Sequence, residues 1–153
     1  MNRQELRKQI KKLLQSQQLA VLSTSEHGRP YANLVAFHFS QDLHFLYFAT
    51  ARETRKYAIL MAEPHVAMLI DSRSNREQDF SRAAAVTVLG RAEEIAGEEK
   101  PAAAKAYVVR HPSLRQFVNS PTTALFAVKV QNCIYVSGFR EVSEYPIIDN
   151  ASE

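Results

Sequence analysis

The sequence predicts an α+β domain: a small, mostly antiparallel β-barrel of about six strands with helices between and beside them. Three observations carry this. Short runs rich in Val, Leu, Thr and aromatic residues recur along the chain, divided by turn residues rather than by linkers. A few intervening segments switch to the i, i+3, i+4 spacing of helices. Finally, 153 residues, 46% of them apolar and 23% charged, suit one domain spanning residues 1–153 with a core of its own.

The elements follow in order. Residues 3–17 form an amphipathic helix, with Leu6, Ile10, Leu13 and Leu14 on one stripe. Leu19–Ser25 is a strand and Glu26–Pro30 a turn. Tyr31–Ser40 and Leu43–Thr50 are expected to pair as a hairpin around Ser40-Gln41-Asp42. Arg55–Ala62 is helical and stops at Glu63-Pro64. His65–Asp71 is a strand, Ser72–Ser81 a polar loop, and Ala83–Ile95 a long strand through Gly90. Glu98–His111 is an Ala-rich helix ended by Pro112, with a short helix near Leu114–Val118. Ala124–Val130 and Ile134–Val142 are expected to finish the chain as paired strands.

Composition removes several function classes. The net charge is +3, and much of the excess lies in Arg3, Arg7, Lys8, Lys11 and Lys12. These read as the solvated face of the first helix, or else as a basic surface for nucleic acid or membrane; no nucleic-acid motif accompanies them, so neither partner is expected. The N-terminus is charged throughout and lacks an apolar signal region, so a cytoplasmic location is the simplest expectation. The one cysteine, Cys133, has no partner for an internal disulfide. Four glycines make neither a G-x-G-x-x-G nor a P-loop. His27, His38, His44, His65 and His111 show no zinc-site spacing, so no metal is expected. There is no G-x-S-x-G elbow.

One segment breaks a rule. Thr54 is a good N-cap, which places Arg55 and Lys56 in a helix's first turn. Cations are disfavoured there, because the helix N-terminus already carries about half a positive charge. Arg52 adds to the concentration and Glu53 offsets part of it. Either these are solvated charges at a loop, or they bind an anion: free backbone N–H groups, the Thr50 and Thr54 hydroxyls and the cations all suit a phosphate.

From Leu19 to about Ile95 the chain resembles the pyridoxamine 5′-phosphate oxidase family of FMN-binding split barrels. The features that carry the resemblance run in order: a leading helix and L-A-V-L-S-T-S, G-R-P before a strand, L-Y-F-A-T followed by T-R-K opening a helix, E-P-H-V-A-M-L-I-D, and V-T-V-L-G-R-A-E-E. The remainder, Y-V-V-R-H-P-S-L-R-Q-F and then two strands, is similar to shorter members and to haem-utilisation relatives. The resemblance implies FMN as cofactor and a homodimer with two flavin sites at the subunit interface. It implies that Thr50, Thr54, Arg55 and Lys56 hold the FMN phosphate and that the backbone of Asn33, Leu34, Val35 and Ala36 runs along the isoalloxazine ring. The partner subunit's segment 80–85, with Phe80, Ser81, Arg82 and Ala85, would close the site.

The chain departs from the true oxidases in ways that bear on substrate. Those enzymes have basic residues where this sequence has Asn33 and His38, a glutamine where it has Ala85, and a tail with tryptophan, arginine and histidine. This chain has no tryptophan and ends differently. The resemblance therefore implies an FMN-dependent oxidoreductase of another small molecule, not a pyridoxamine 5′-phosphate oxidase. The alternatives are a non-catalytic flavin carrier or sensor, or a haem-binding protein. No acid or base stands out. Tyr107, Arg110 and His111 share one helix, where helix packing is the commoner role and a substrate-facing one the alternative.

Overall fold

The computed structural model describes residues 1–148. Helix α1 (Arg3–Ser16) begins with a reciprocal cap: the Asn2 side chain accepts from Glu5 N at 2.9 Å, and the Glu5 carboxylate accepts from Asn2 N. Its predicted stripe of Leu6, Ile10, Leu13 and Leu14 is buried, while Lys8 and Lys12 face solvent. Strands β1 (Leu19–Glu26) and β2 (Arg29–Ala36) form a hairpin over His27-Gly28, both at positive φ as a tight two-residue turn requires. There follow β3 (His38–Phe39), β4 (Phe45–Ala51), α2 (Arg55–Ala62), β5 (His65–Asp71), the single turn α3 (Asp79–Arg82) and β6 (Ala84–Glu94). Helices α4 (Lys100–Arg110) and α5 (Arg115–Val118) precede the long strand β7 (Thr123–Ser137) and the final strand β8 (Glu141–Pro146).

All eight strands belong to one antiparallel sheet, ordered β2-β1-β5-β6-β7-β4-β3, with β8 on the C-terminal half of β7. The edge strands β2 and β3 are consecutive in the chain and separated by Phe37 alone. The sheet thus curls into a barrel joined at the split by covalent backbone instead of a ladder.

Three expectations need correction. Tyr31–Ser40 is not one strand: β2 pairs only with β1 and β3 only with β4. The break falls at Phe37, fully buried, whose N–H turns to Gln18 O at 3.2 Å. Ala124–Val130 and Ile134–Val142 are not a hairpin either. One strand runs through Gln131-Asn132-Cys133, where a register shift opposite Leu89 and Gly90 accommodates an extra residue as a bulge. The true reversal is at 138–140, and β8 follows it, which raises the strand count above six. Within the expected loop 72–81, the Asp79 carboxylate accepts from Ser74 N, Ser74 Oγ and Asn75 N, closing a compact turn ahead of α3.

The main core fills the barrel with side chains including Leu22, Phe37, Phe39, Phe48, Met68, Val86, Val88 and Phe126, against α1 and Leu60 of α2. A second, smaller core lies outside the sheet, where Ala104, Tyr107 and Val108 of α4 and Val118 of α5 cover Ala49 and Leu125. The helices therefore shield the outer face of β4 and the first half of β7. The outer face of the other strands carries no covering helix among the described residues: the apolar Leu34, Val21, Leu69 and Ile134 stand with Thr87 in one register row across five strands. Leu19, Leu34 and Val142 are more than half exposed on this face.

Candidate functional site

Helix α2 starts as its sequence dictates. The Thr54 hydroxyl donates to Ala51 O at 2.8 Å and accepts from Tyr57 N at 3.2 Å. Thr50 lies within the barrel, 2% exposed, with its hydroxyl 3.4 Å from that of Thr54. The Thr54 hydroxyl is thus engaged in capping, and that of Thr50 turns to it from the barrel interior. What remains open at this helix end are the N–H groups of Arg55 and Lys56, which have no intrahelical acceptor, because Ala58 N is the first to reach back to Thr54 O.

The three nearby cations have separate surroundings. Arg52 is held away from the helix end by Glu94, with Nη2–Oε2 at 2.7 Å and Nη1–Oε1 at 2.9 Å, and Tyr57 Oη donates to the same carboxylate at 2.8 Å. Arg52 keeps the Glu94 carboxyl below its ordinary range, and Glu94 raises the Tyr57 phenol. Arg55 is exposed, its guanidinium 5.6 Å from the Tyr31 ring centroid, beside a cavity of about 420 Å3 also lined by Arg29 and His27. Lys56 is half-buried and opens on a different cavity of about 440 Å3. Among the described residues it has no hydrogen bond or ion pair, and burial alone pulls its pKa below the usual lysine value.

The Lys56 cavity is walled by Leu19, Leu34, Ala36, Ala49, Tyr107 and Phe117, among others. Strand β2 supplies one side. Leu34 points outward and is 65% exposed, Val35 points into the core, and Asn33 is half-buried with its Oδ1 unpartnered. Because β2 is an edge strand, its alternate peptide groups have no neighbouring strand to bond. Helix α4 closes the other side and ties the split: Tyr107 Oη donates to Ala36 O at 2.8 Å, and His111 Nε2 is 2.6 Å from Phe37 O. Arg110 donates to Leu14 O at 2.6 Å and to Gln17 O. Burial pushes the Tyr107 phenol up to about 12, so it remains a neutral donor. All three residues therefore pack the helix, and Tyr107 and His111 also line the cavity. Cys133 is buried and its thiol is pushed up to about 12, which leaves it inert.

The predicted residues fall into two groups. Leu34, Val35, Ala36 and Lys56 border one cavity, with Asn33 next in β2, the two threonines behind Lys56 and Arg55 beside it. Phe80 and Ala85 border another, of about 690 Å3. Strand β6 is three strands from β2, about 14 Å along the sheet. Ser81 and Arg82 belong to α3 and lie with this second group. Sequence reasoning missed Ala49, which faces the cavity where Thr50 faces the core; the period-2 alternation of β4 carried that signal. It also missed Phe117, Tyr31 and Phe139, which no motif marks.

Among the described residues no cluster could hold a metal ion, and no helix is long and apolar enough to cross a membrane. No curated protein matches the chain. Several solved structures share its fold. A haem-binding protein from Mycobacterium smegmatis superposes with TM-score 0.81 at 18% identity, over 92% of this chain and 57% of that one. General stress protein 26 from Bacillus anthracis str. Sterne gives 0.71 at 21%, over 94% and 99%. A FAD-binding protein from Mesorhizobium loti gives 0.67 at 19%, over 83% and 89%. The profile of the family described as pyridoxamine 5′-phosphate oxidase matches residues 6–137, most of the chain. The chain belongs to the pyridoxamine 5′-phosphate oxidase family.

Proposed function

We propose that this protein binds FMN and is an oxidoreductase acting on a small molecule, as a homodimer with a flavin at each of two interfacial sites. One observation carries the cofactor reading: Lys56 is a half-buried cation with no partner among the described residues, at the open end of a helix, beside a cavity edged by a free strand. An unpaired charge costs free energy when it leaves water, and a phosphate would offset that cost. In this reading the Lys56 ammonium and the N–H groups of Arg55 and Lys56 hold the phosphate. Arg55 adds long-range attraction from its exposed position. Leu19, Leu34 and Ala36 pack against the ring and exclude water, and the unpaired peptide groups of β2 hydrogen-bond its polar edge. Bound flavin supplies the hydride and electron transfer.

The dimer reading rests on the bare face. An apolar sheet surface spanning five strands needs a cover, and a two-fold axis through its middle brings each end of the face onto the opposite end of the partner. The Lys56 cavity lies at one end and Phe80–Ala85 at the other, so such a dimer unites the two groups of predicted residues. Nothing extends this reading to pyridoxamine 5′-phosphate as substrate.

Haem is the second candidate ligand. His111 is the one histidine among the described residues lining the Lys56 cavity, and its Nε2 already contacts Phe37 O. The donor set thus favours an anion on Lys56 over an iron on histidine. Calorimetric titration of apo protein tests the proposal: FMN binds one per chain and more tightly than riboflavin, and failure to bind either overturns it. Turnover with reduced nicotinamide distinguishes an oxidoreductase from a flavin carrier.

A further inference from the structure

The cavity of about 690 Å3 at the far end of the bare face has a built aromatic wall. Phe80 of α3 and Phe139 of the β7–β8 turn contact each other, with centroids 5.7 Å apart, and are 69% and 64% exposed. The turn is pinned to α3 by Gly138, whose N–H donates to Ala83 O at 3.0 Å. A side chain at Gly138 would put its Cβ 2.9 Å from Ser81 O, at a φ of +57° that favours glycine. Phe139 itself holds a φ of +58°, an unusual conformation for a bulky residue. Two large aromatics kept in solvent, one of them on constrained backbone, gain little for the isolated fold, and such constraint points to a binding role.

The floor is apolar: Leu69, Ala84, Ala85 and Val136. The charged residues around it carry both signs and stand off the floor. Arg73 grips Asp71 with two bonds of 2.7 and 2.8 Å, and Asp79 is taken up by its own turn. Arg76 and Glu77 at the rim are opposite in sign. A charged ligand would find no unpaired counter-ion on the floor, whereas a flat ring could lie on it and stack against the phenylalanines.

We infer that the Phe80–Phe139 wall binds the protein's small-molecule substrate, and that this substrate is a flat, uncharged, aromatic compound of about two fused rings. The inference deepens the flavin reading, since the proposed dimer carries this wall to the partner's Lys56 cavity. It does not depend on flavin for its first test, because the cavity exists in the single chain.

The test is calorimetric titration of 2-naphthol into apo protein and into protein incubated with FMN. Phe80→Ala and Phe139→Ala should each weaken 2-naphthol binding at least tenfold with unchanged circular dichroism, while Phe139→Tyr retains it. The cationic analogue 2-naphthylmethylamine should bind at least tenfold more weakly than 2-naphthol. Equal affinity for the two compounds, or binding indifferent to both alanine variants, overturns the inference. Phenylalanine-dependent naphthol binding without FMN uptake would leave the wall standing and sink the flavin reading. FMN uptake with phenylalanine-independent naphthol binding would do the reverse.

Discussion

Replacing Lys56 with methionine isolates the group on which the cofactor proposal turns. The change keeps the length and most of the apolar stem, and removes only the ammonium. A charge-assisted hydrogen bond is worth about 1.5–3 kcal/mol, so FMN affinity should fall roughly 10- to 150-fold. Riboflavin lacks the phosphate, and its affinity should stay the same. The apo protein should become more stable, for two reasons visible in the structure: the ammonium is half-buried with no partner among the described residues, and it sits in the first turn of α2. The charge–dipole repulsion alone is worth about 0.3–1 kcal/mol. At about 2–4 °C per kcal/mol for a chain of this size, removing it raises Tm by about 1–4 °C. The pH dependence has a definite sign. Burial puts the folded pKa of Lys56 below 10.5, so between that lowered value and 10.5 the unfolded chain binds more protons. Apo wild-type protein therefore gains stability as pH rises through that window, and the methionine variant lacks this gain. Calorimetric titration with both flavins and thermal melts of apo protein measure all of this. Equal losses for FMN and riboflavin, or a less stable apo variant, would mean that Lys56 is not an unpaired phosphate-binding cation.

Other perturbations test the framework around the site. Glu94→Gln should cost about 1–3 kcal/mol, because the carboxylate accepts from Arg52 and Tyr57. Arg52 holds the Glu94 carboxyl below 4.5, so its contribution is complete above that value and lost as pH falls through the lowered one; urea midpoints followed into acid should decline less in the variant. Gly90→Ala should destabilise by on the order of 1–3 kcal/mol, since its Cβ would collide with the Lys129 carbonyl oxygen beside the bulge, and a thermal melt reads the loss. Leu34→Arg places a charge on the bare face and should give a monomer by light scattering, with FMN binding lost alongside.

Much of the fold was legible because it follows local chemistry. The α1 stripe, the Thr54 cap and the His65–Asp71 strand each match their predicted span closely. The failures are non-local. Nothing in the residues around Phe37 announces that the chain leaves one sheet edge for the other, since the apolar run continues on both sides. Gln131-Asn132 looks like a turn because its polarity interrupts an apolar run, yet the strand absorbs it as a bulge against Gly90. At the site, Lys56 was legible as a cation in conflict with its helix, but not its separation from Arg52, which depends on Glu94 from a distant strand. Phe139 had no signal at all, because its exposure and its contact with Phe80 arise only from the turn's docking on α3.

A flavin phosphate in the Lys56 cavity ties the cofactor, the helix end and the dimer together. The most direct measurement is the visible absorption of apo protein mixed in turn with FMN and with haem, then freed of unbound ligand by gel filtration. The expected result is the two-band spectrum of oxidised flavin, one FMN per chain, co-eluting with a dimer and lost in the Lys56→Met variant. Protein that emerges colourless from FMN but with a Soret band from haem would contradict it.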